Sequence, residues 1–390
     1  MQKNKLTPRL RRSPSLLCKI DHVSFVDGCI IRNQGHETYD SRTTTRSQLS
    51  RDSFHTRICD SGIVYSHQFC SLCDCAGNCN LARPVPQRIT TVTVDNGVKL
   101  EVLDWGGNGR AVVLLAGYQT AHEYDDNAPR LTAFCHVYGI TRRGFGASSR
   151  PHSGYTAQRS AEDVLQVLDA LKLDHPVLAG HSFGGEDLFT IGAEHPTLVA
   201  GLVFLDSADD PTLPSSAYGI AEVDTKKLPA SMTTPEPQPA NSSFQAFRES
   251  QLKAHGVMEP EAELRQRYPV NPDGSIGEDS TPKWVRDAIF AGIQKPKYSN
   301  IHAPVLAILT APLPMDEQFK KYQPTTADER AAMEPKYAVG EAFTNRTVQD
   351  LKAGIPNAQI VTLPGASTYI FLSNESDTVR EMRSFVAGLH

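Results

Sequence analysis

Short apolar runs alternate with amphipathic stretches from residue 86 to the end of the chain. Residues 88–94 alternate between polar and apolar types, and Asp95-Asn96-Gly97 predicts a hairpin turn before a second strand over 98–103. The runs that follow are apolar on both faces, which is typical of strands buried in a parallel sheet. They cover residues 111–116, 136–141, 176–180, 201–205, 304–309 and 359–363.

Helical patterns lie between these predicted strands. Ser160 is the predicted N-cap of one helix, because Asp163 follows at the spacing of a capping box. The apolar residues after it fall on one helical face: Ala161, Val164, Leu165, Leu168 and Leu171. A second helix is predicted to begin at Phe183 and to end before Pro196. This alternation predicts an α/β fold, with a doubly wound and mostly parallel sheet.

The alternation of strands and helices stops between about residues 207 and 300. Pro, Ser and Asp are frequent from 209 to 241, and helical patterns return over 244–268 and 282–293. This segment is either a variable insertion or a lid over a ligand site. We favour a helical lid, because an insertion after the carboxyl end of a strand overhangs the crevice where ligands bind in α/β sheets.

Composition narrows the class of protein. The chain has 390 residues, 39% apolar and 21% charged, with a net charge of -5, so nothing suggests a nucleic-acid partner. No apolar run approaches the roughly 18 residues of a membrane helix, and residues 16–31 are interrupted by charges, unlike a signal peptide. We therefore expect no membrane partner and, by default, a soluble cytoplasmic protein. The oligomeric state is left open.

The first 85 residues differ from the remainder and are predicted to be a poorly structured, Cys-rich extension. Seven of the eight cysteines lie there, and no sustained period of two or 3.6 is present. Cys70, Cys73, Cys75 and Cys79, with His67 nearby, leave a zinc site or disulfides as alternatives. The absence of a second, distant Cys-x-x-Cys pair argues against zinc, so no metal is predicted. A start codon placed too far upstream would also account for this segment.

One motif carries chemistry. Gly180-His181-Ser182-Phe183-Gly184-Gly185 follows a predicted strand and opens a predicted helix. That is the context of a nucleophile elbow, in which a sharp turn between small residues exposes a serine. The helix N-terminus would also stabilise negative charge that develops beside Ser182.

On this motif and two further segments, residues 88–388 resemble the α/β-hydrolase fold family. Residues 113–118 are similar to its strand and oxyanion loop, and residues 138–149 to its glycine-rich loop. The resemblance implies a small-molecule substrate, no cofactor, and oxyanion donors at the backbone N–H groups of Tyr118 and Phe183. A serine nucleophile, in place of aspartate, argues against epoxide hydrolase and haloalkane dehalogenase chemistry.

The family pattern also implies an acid and a histidine base. The acid is assigned to Asp206, directly after the 201–205 strand, with Asp316 as the alternative; Asp206 could also merely cap the first turn of the insertion. The position expected to hold histidine is Thr368. A threonine cannot accept the serine proton near neutral pH. His122 and His152 are the possible surrogate bases, and His181 is expected to point away in a structural role.

Two functions follow from this pattern. The first is a serine hydrolase that acts on a small ester or related acyl compound through Ser182, with activity impaired by the loss of the histidine. The alternative is a catalytically silent member of the fold, which binds a small ligand under the lid. A histidine from another loop within hydrogen-bond reach of Ser182 Oγ would favour the first.

Overall fold

The computed structural model describes residues 23–26, 29–32, 87–214, 217, 225–232 and 243–389. The strands are β1 (Val23–Val26), β2 (Cys29–Arg32), β3 (Arg88–Thr93), β4 (Lys99–Gly107), β5 (Ala111–Leu115), β6 (His136–Ile140), β7 (Val177–His181), β8 (Gly201–Leu205), β9 (Val305–Ala311) and β10 (Gln359–Pro364). The α-helices are α1 (Ala128–Leu131), α2 (Ala157–Ala170), α3 (Gly184–Glu194), α4 (Phe244–His255), α5 (Glu261–Arg267), α6 (Lys283–Ala291), α7 (Met315–Tyr322), α8 (Ala327–Gly354), α9 (Ile370–Ser373) and α10 (Glu375–Ala387).

A single eight-stranded sheet organises residues 87–389. Its strand order is β3-β4-β6-β5-β7-β8-β9-β10, whereas β1 and β2 form a separate two-stranded sheet. The pairs β3–β4 and β4–β6 are antiparallel, and every other neighbouring pair in the large sheet is parallel. The predicted α/β class with a mostly parallel sheet is confirmed.

Residues of the central strands alternate between two hydrophobic layers, one on each face of the sheet. On β8, Leu202 and Phe204 pack in the layer with α2 and α3, while Val203 and Leu205 pack in the layer with α1 and α10. Both faces are therefore covered by helices, which is why these strands are apolar throughout. Because strands β5 to β10 are parallel to one another, their carboxyl ends lie at the same edge of the sheet.

The start of α2 differs from the sequence prediction. The N-cap is Thr156, whose hydroxyl accepts a hydrogen bond from the Arg159 N–H, and Ser160 lies inside the helix. The predicted capping box was wrong because a threonine four residues earlier caps the helix first. The Asp163 carboxylate instead binds the Arg143 guanidinium through two hydrogen bonds of 2.6 Å.

The segment between 207 and 300 contains α4, α5 and α6. Val285 and Ile289 of α6 are buried against Phe145 and Tyr155 of the main body, with Tyr118 and Phe183 packed at the edge of the same cluster. Helix α6 of the insertion therefore packs beside both predicted oxyanion residues.

No helix within the described residues is long and apolar enough to cross a membrane. The extension before residue 86 lies almost wholly outside the described residues, including His67 and the cysteine cluster over 70–79. Cys135, in the main body, is a buried free thiol.

Candidate active site

The carboxyl ends of two adjacent parallel strands place Ser182 beside Asp206. His181 pairs with Leu205 in the register of β7 and β8, so each of the next residues leaves the sheet at the same level. Both have left-handed backbones, with φ of +49° at Ser182 and +50° at Asp206. Non-glycine residues with such φ values are uncommon and are concentrated at functional turns. The predicted nucleophile and the preferred acid are therefore neighbours.

The glycines around Ser182 are required by close backbone contacts. A Cβ at Gly184 would lie 2.3 Å from the Leu115 carbonyl oxygen, so the first turn of α3 can approach β5 only without a side chain. A Cβ at Gly117 would lie 2.6 Å from Ser182 Cβ and 3.0 Å from Ser182 Oγ. The loop after β5 therefore lies directly against the serine.

This loop brings the predicted oxyanion residues together. The ring of Tyr118 meets the ring of Phe183 edge to face, with centroids 4.7 Å apart. Within the described part of the chain, neither backbone N–H donates a hydrogen bond. Two free N–H groups on either side of a serine at a helix N-terminus can stabilise an oxyanion.

Asp206 is held by hydrogen-bond donors from two loops. The backbone N–H and the hydroxyl of Thr310 each donate to Asp206 Oδ1 at 2.9 Å. Burial raises the pKa of Asp206, and the bonds from Thr310 together with the nearby Thr368 hydroxyl oppose this rise. Thr368 therefore contacts the group that would orient a histidine at this position.

The alternative acid lies elsewhere. Asp316 is in the first turn of α7, its side chain is 75% exposed, and its carboxylate is 3.7 Å from the Lys320 ammonium. It does not contact Thr368 or Asp206, so the structure does not support Asp316 as the acid.

The two surrogate histidines occupy different surroundings. His122 is buried, 2.8 Å from an Asp125 carboxylate oxygen and 3.7 Å from one of Glu101, and these carboxylates raise its pKa to about 10. It is therefore protonated at neutral pH, which does not suit a general base. His152 is exposed and stacks on the Trp284 ring at 5.6 Å. In the described residues, Ser182 Oγ has no hydrogen bond to either.

His181 has the contacts that the sequence prediction did not foresee. It is buried, and its Nδ1 lies 3.1 Å from Glu123 Oε2, while its Nε2 lies 3.5 Å from Thr368 Oγ1. The imidazole packs against the rings of Tyr369 and Phe371, so the 365–369 loop reaches the layer that contains His181. Glu123 was missed because its one sequence signal is its place shortly after the oxyanion loop.

Side chains from the insertion complete the surroundings. The Phe290 ring of α6 lies 5.7 Å from Tyr118 and 5.3 Å from Phe183. Glu263 of α5 is fully buried and accepts hydrogen bonds from both the N–H and the hydroxyl of Thr120. Burial raises the pKa of Glu263 to about 8. The insertion is thus anchored to the loop that carries Tyr118.

Among the described residues, no group of His, Cys, Asp and Glu side chains could hold a metal ion. The chemistry available at this edge of the sheet is that of a serine hydroxyl beside free N–H groups and a hydrogen-bonded carboxyl group. Nucleophilic attack on a carbonyl carbon uses the same set of groups.

The mostly parallel sheet and the left-handed turn at Ser182 are typical of α/β hydrolases. Comparison with known proteins gives the same class. Residues 112–381 match the model of the alpha/beta hydrolase family. The chain belongs to this family.

Curated relatives share only part of the chain. The AB hydrolase superfamily protein YisY of Bacillus subtilis (strain 168) is 33% identical over 124 residues, which cover 30% of this chain and 46% of YisY. The putative carbamate hydrolase RutD of Caulobacter segnis is 33% identical over 127 residues, covering 32% of this chain and 47% of RutD. The chain thus spans less than half the length of these relatives.

A solved structure shows the same fold. The crystal structure of E-2-(acetamidomethylene)succinate hydrolase superposes with a TM-score of 0.57 at 18% identity, over 77% of this chain and 100% of that one. At this identity the likeness concerns the fold alone.

Proposed function

We propose that this protein is a serine hydrolase that acts on a small ester or related acyl compound. The observation that carries the proposal is the geometry of Ser182. It has a left-handed backbone between β7 and α3, it lies against Gly117, and it is the neighbour of Asp206. A hydroxyl held in this way is exposed for attack on a carbonyl carbon.

The steps of the reaction follow from the groups around the serine. Ser182 Oγ attacks the carbonyl carbon, and the N–H groups of Tyr118 and Phe183 bind the negative oxygen of the tetrahedral intermediate. The alcohol then leaves, and water hydrolyses the acyl-enzyme. Removing an oxyanion donor from a serine hydrolase costs about 10²–10³ in turnover, so these two groups alone supply substantial catalysis.

Thr368 at the histidine position predicts slow turnover. Loss of the histidine from a serine protease costs on the order of 10⁶ in kcat, and about 10³–10⁴ over water remains. We therefore expect a weak hydrolase that favours activated esters, whose leaving groups need no protonation.

The insertion is proposed to be a lid. Phe290 packs on the rings of both predicted oxyanion residues, so α6 must move or leave a gap for a substrate to reach Ser182. The ring of Phe290 from the insertion and the rings of Tyr118 and Phe183 from the main body favour a substrate with an apolar acyl group.

One observation favours the second candidate, a silent member of the fold that binds a small ligand. The 365–369 loop places a threonine hydroxyl, and no imidazole, near Asp206. A carbonyl or alcohol group of a ligand could then bind beside Ser182 without reacting.

Covalent labelling separates the two candidates. The full-length protein would be treated with a fluorophosphonate probe, and the labelled residue located by peptide mass spectrometry. We expect labelling at Ser182, complete loss of labelling in Ser182→Ala, and normal labelling in Ser250→Ala, a control serine on α4. Absence of labelling in a folded wild-type protein would favour the silent binding protein.

A further inference from the structure

Four side chains form a partly buried chain at the carboxyl edge of the sheet, and we call it the Glu123–Asp206 chain. Glu123 Oε2 is 3.1 Å from His181 Nδ1, and His181 Nε2 is 3.5 Å from Thr368 Oγ1. The Thr368 hydroxyl also lies near the Asp206 carboxyl group, whose pKa it lowers. The chain therefore joins two carboxyl groups through one imidazole and one hydroxyl.

The imidazole of this chain is fixed in place. The His181 and Glu123 side chains are 2% and 1% exposed. The rings of Tyr369 and Phe371 each lie 5.2 Å from the imidazole. The titratable groups that face it are Glu123, Asp206 and Tyr369, and burial keeps the Tyr369 phenol neutral by raising its pKa well above the usual value.

The hydrogen-bond partners of His181 leave its Nε2 as a proton acceptor. In the neutral tautomer whose Nδ1–H donates to Glu123 Oε2, the unprotonated Nε2 accepts from the Thr368 hydroxyl. When Nε2 takes up a proton, the imidazolium that forms faces the Glu123 carboxyl group, which stabilises the positive charge.

The location of the chain connects it to the reaction. His181 directly precedes Ser182, Asp206 is the neighbour of Ser182 across the sheet, and Thr368 contacts both of these flanking residues. A threonine side chain is shorter than a histidine, so a bridging water is needed between its hydroxyl and Ser182 Oγ.

We propose that His181 holds the proton that Ser182 releases, in place of the missing histidine; this inference rests on the proposed hydrolase function. As the Ser182 oxygen bonds to the carbonyl carbon, its proton passes to the bridging water. That water gives a proton to Thr368 Oγ1, and Thr368 gives its own to His181 Nε2. The resulting imidazolium faces Glu123. The proton returns along the same route to the departing alcohol, so His181 acts as a positioning residue through Thr368.

The test compares four variants of the full-length protein by p-nitrophenyl acetate hydrolysis across pH 5–9. His181→Gln and Thr368→Val each break the chain, and we expect each to lower kcat/KM by about 10²-fold, the lower range for a general base. Glu123→Gln should lower kcat/KM less and should shift the acidic limb of the pH profile. Thr368→Ser keeps a hydroxyl and should retain most of the activity.

Matched controls and a double variant complete the design. His136→Gln and Thr378→Val change a histidine at the start of β6 and a buried threonine on α10, both outside the chain, and should leave kcat/KM and its pH profile unchanged. His181→Gln combined with Thr368→Val should be no slower than either alone, because both interrupt one route.

The outcomes separate the inference from the proposed function. If Ser182→Ala is inactive but folded His181→Gln keeps the wild-type rate and pH profile, the serine is the nucleophile and the inference is overturned. The inference is also overturned if Thr368→Val has a reduced kcat/KM while His181→Gln keeps the wild-type value. If Ser182→Ala keeps the wild-type rate, the proposed function itself fails. Melting temperatures of each variant identify any loss that reflects unfolding.

Discussion

At the scale of single residues, the site depends on two positions with left-handed backbones. Ser182 and Asp206 have nearly equal φ values, and each ends a buried strand. A serine and an aspartate at such positions store about 1–3 kcal/mol of strain each. The surrounding packing must therefore hold them, and Gly117 lies so close to Ser182 that a side chain there would clash with it.

Replacement of Gly117 tests this contact. In Gly117→Ala the new methyl group would lie 2.6 Å from Ser182 Cβ, so either the loop or the serine must shift. A displacement of about 1 Å can cost about 10²-fold in rate, and we expect a loss of this size in kcat/KM. The reaction rate with p-nitrophenyl acetate would measure it.

Gly340→Ala on α8 is the matched control. The nearest atom to its new Cβ is 3.6 Å away, and alanine favours a helix by about 1 kcal/mol over glycine. It should keep the wild-type rate and melt no lower than the wild type. Equal rates for Gly117→Ala and Gly340→Ala would show that Gly117 does not position the serine.

Sequence reasoning located Ser182 and Asp206 because each follows a strongly apolar strand. It did not find the role of His181, since alternation along a strand says which face a side chain occupies but not which loop it meets there. The 365–369 loop is more than 180 residues away in sequence, and its contact with His181 depends on the whole sheet.

At the scale of elements, α5 is joined to the main body through a buried carboxyl group. Glu263 bonds the N–H and hydroxyl of Thr120, next to the oxyanion loop, and its pKa is raised to about 8 by burial. The same group in an unfolded chain titrates near 4.5. Between these values the folded protein keeps a proton that the unfolded chain has lost.

This difference predicts a pH dependence of stability. Because the folded state binds more protons, the contribution of Glu263 to the free energy of unfolding falls as pH rises from about 4.5 to 8. Glu263→Gln has a neutral side chain throughout and lacks this fall. We expect it to be more stable than the wild type at pH 8 and similar at pH 5, measured by urea denaturation.

Glu261→Gln, on the exposed face of the same helix, is the control and should follow the wild-type pH dependence. The prediction is contradicted if the difference in unfolding free energy between Glu263→Gln and wild type does not change with pH. In that case the Glu263 carboxyl is ionised in the folded protein.

The strands and helices also show where the pattern of apolar residues along the sequence predicts secondary structure correctly. All eight strands of the large sheet match predicted runs. The central strands β5, β7 and β8 are apolar at nearly every position because helices cover both faces of the sheet, whereas β3 at the edge is marked by polar and apolar alternation. The long helix α8 was not predicted. Only Met333, Thr347 and Leu351 are buried along its 28 residues, and Pro335 interrupts it, so no continuous apolar stripe marks it.

At the scale of the whole molecule, the parallel order of β5, β7, β8 and β10 gathers loops that are distant in sequence. Gly117, Ser182, Asp206 and Thr368 each follow one of these strands. A fold of this kind permits chemistry to change by exchange of one loop residue, since the sheet holds the others. We propose that Thr368 is such an exchange, at the position where the family pattern implies histidine.

The measurement that tests this account most directly is p-nitrophenyl ester hydrolysis by the wild type, Ser182→Ala and Thr368→His. We expect slow wild-type turnover, none in Ser182→Ala, and an increase of about 10²–10⁴-fold in kcat/KM for Thr368→His, the usual contribution of a general base. Undiminished hydrolysis by Ser182→Ala, or a folded Thr368→His protein no faster than the wild type, would contradict it.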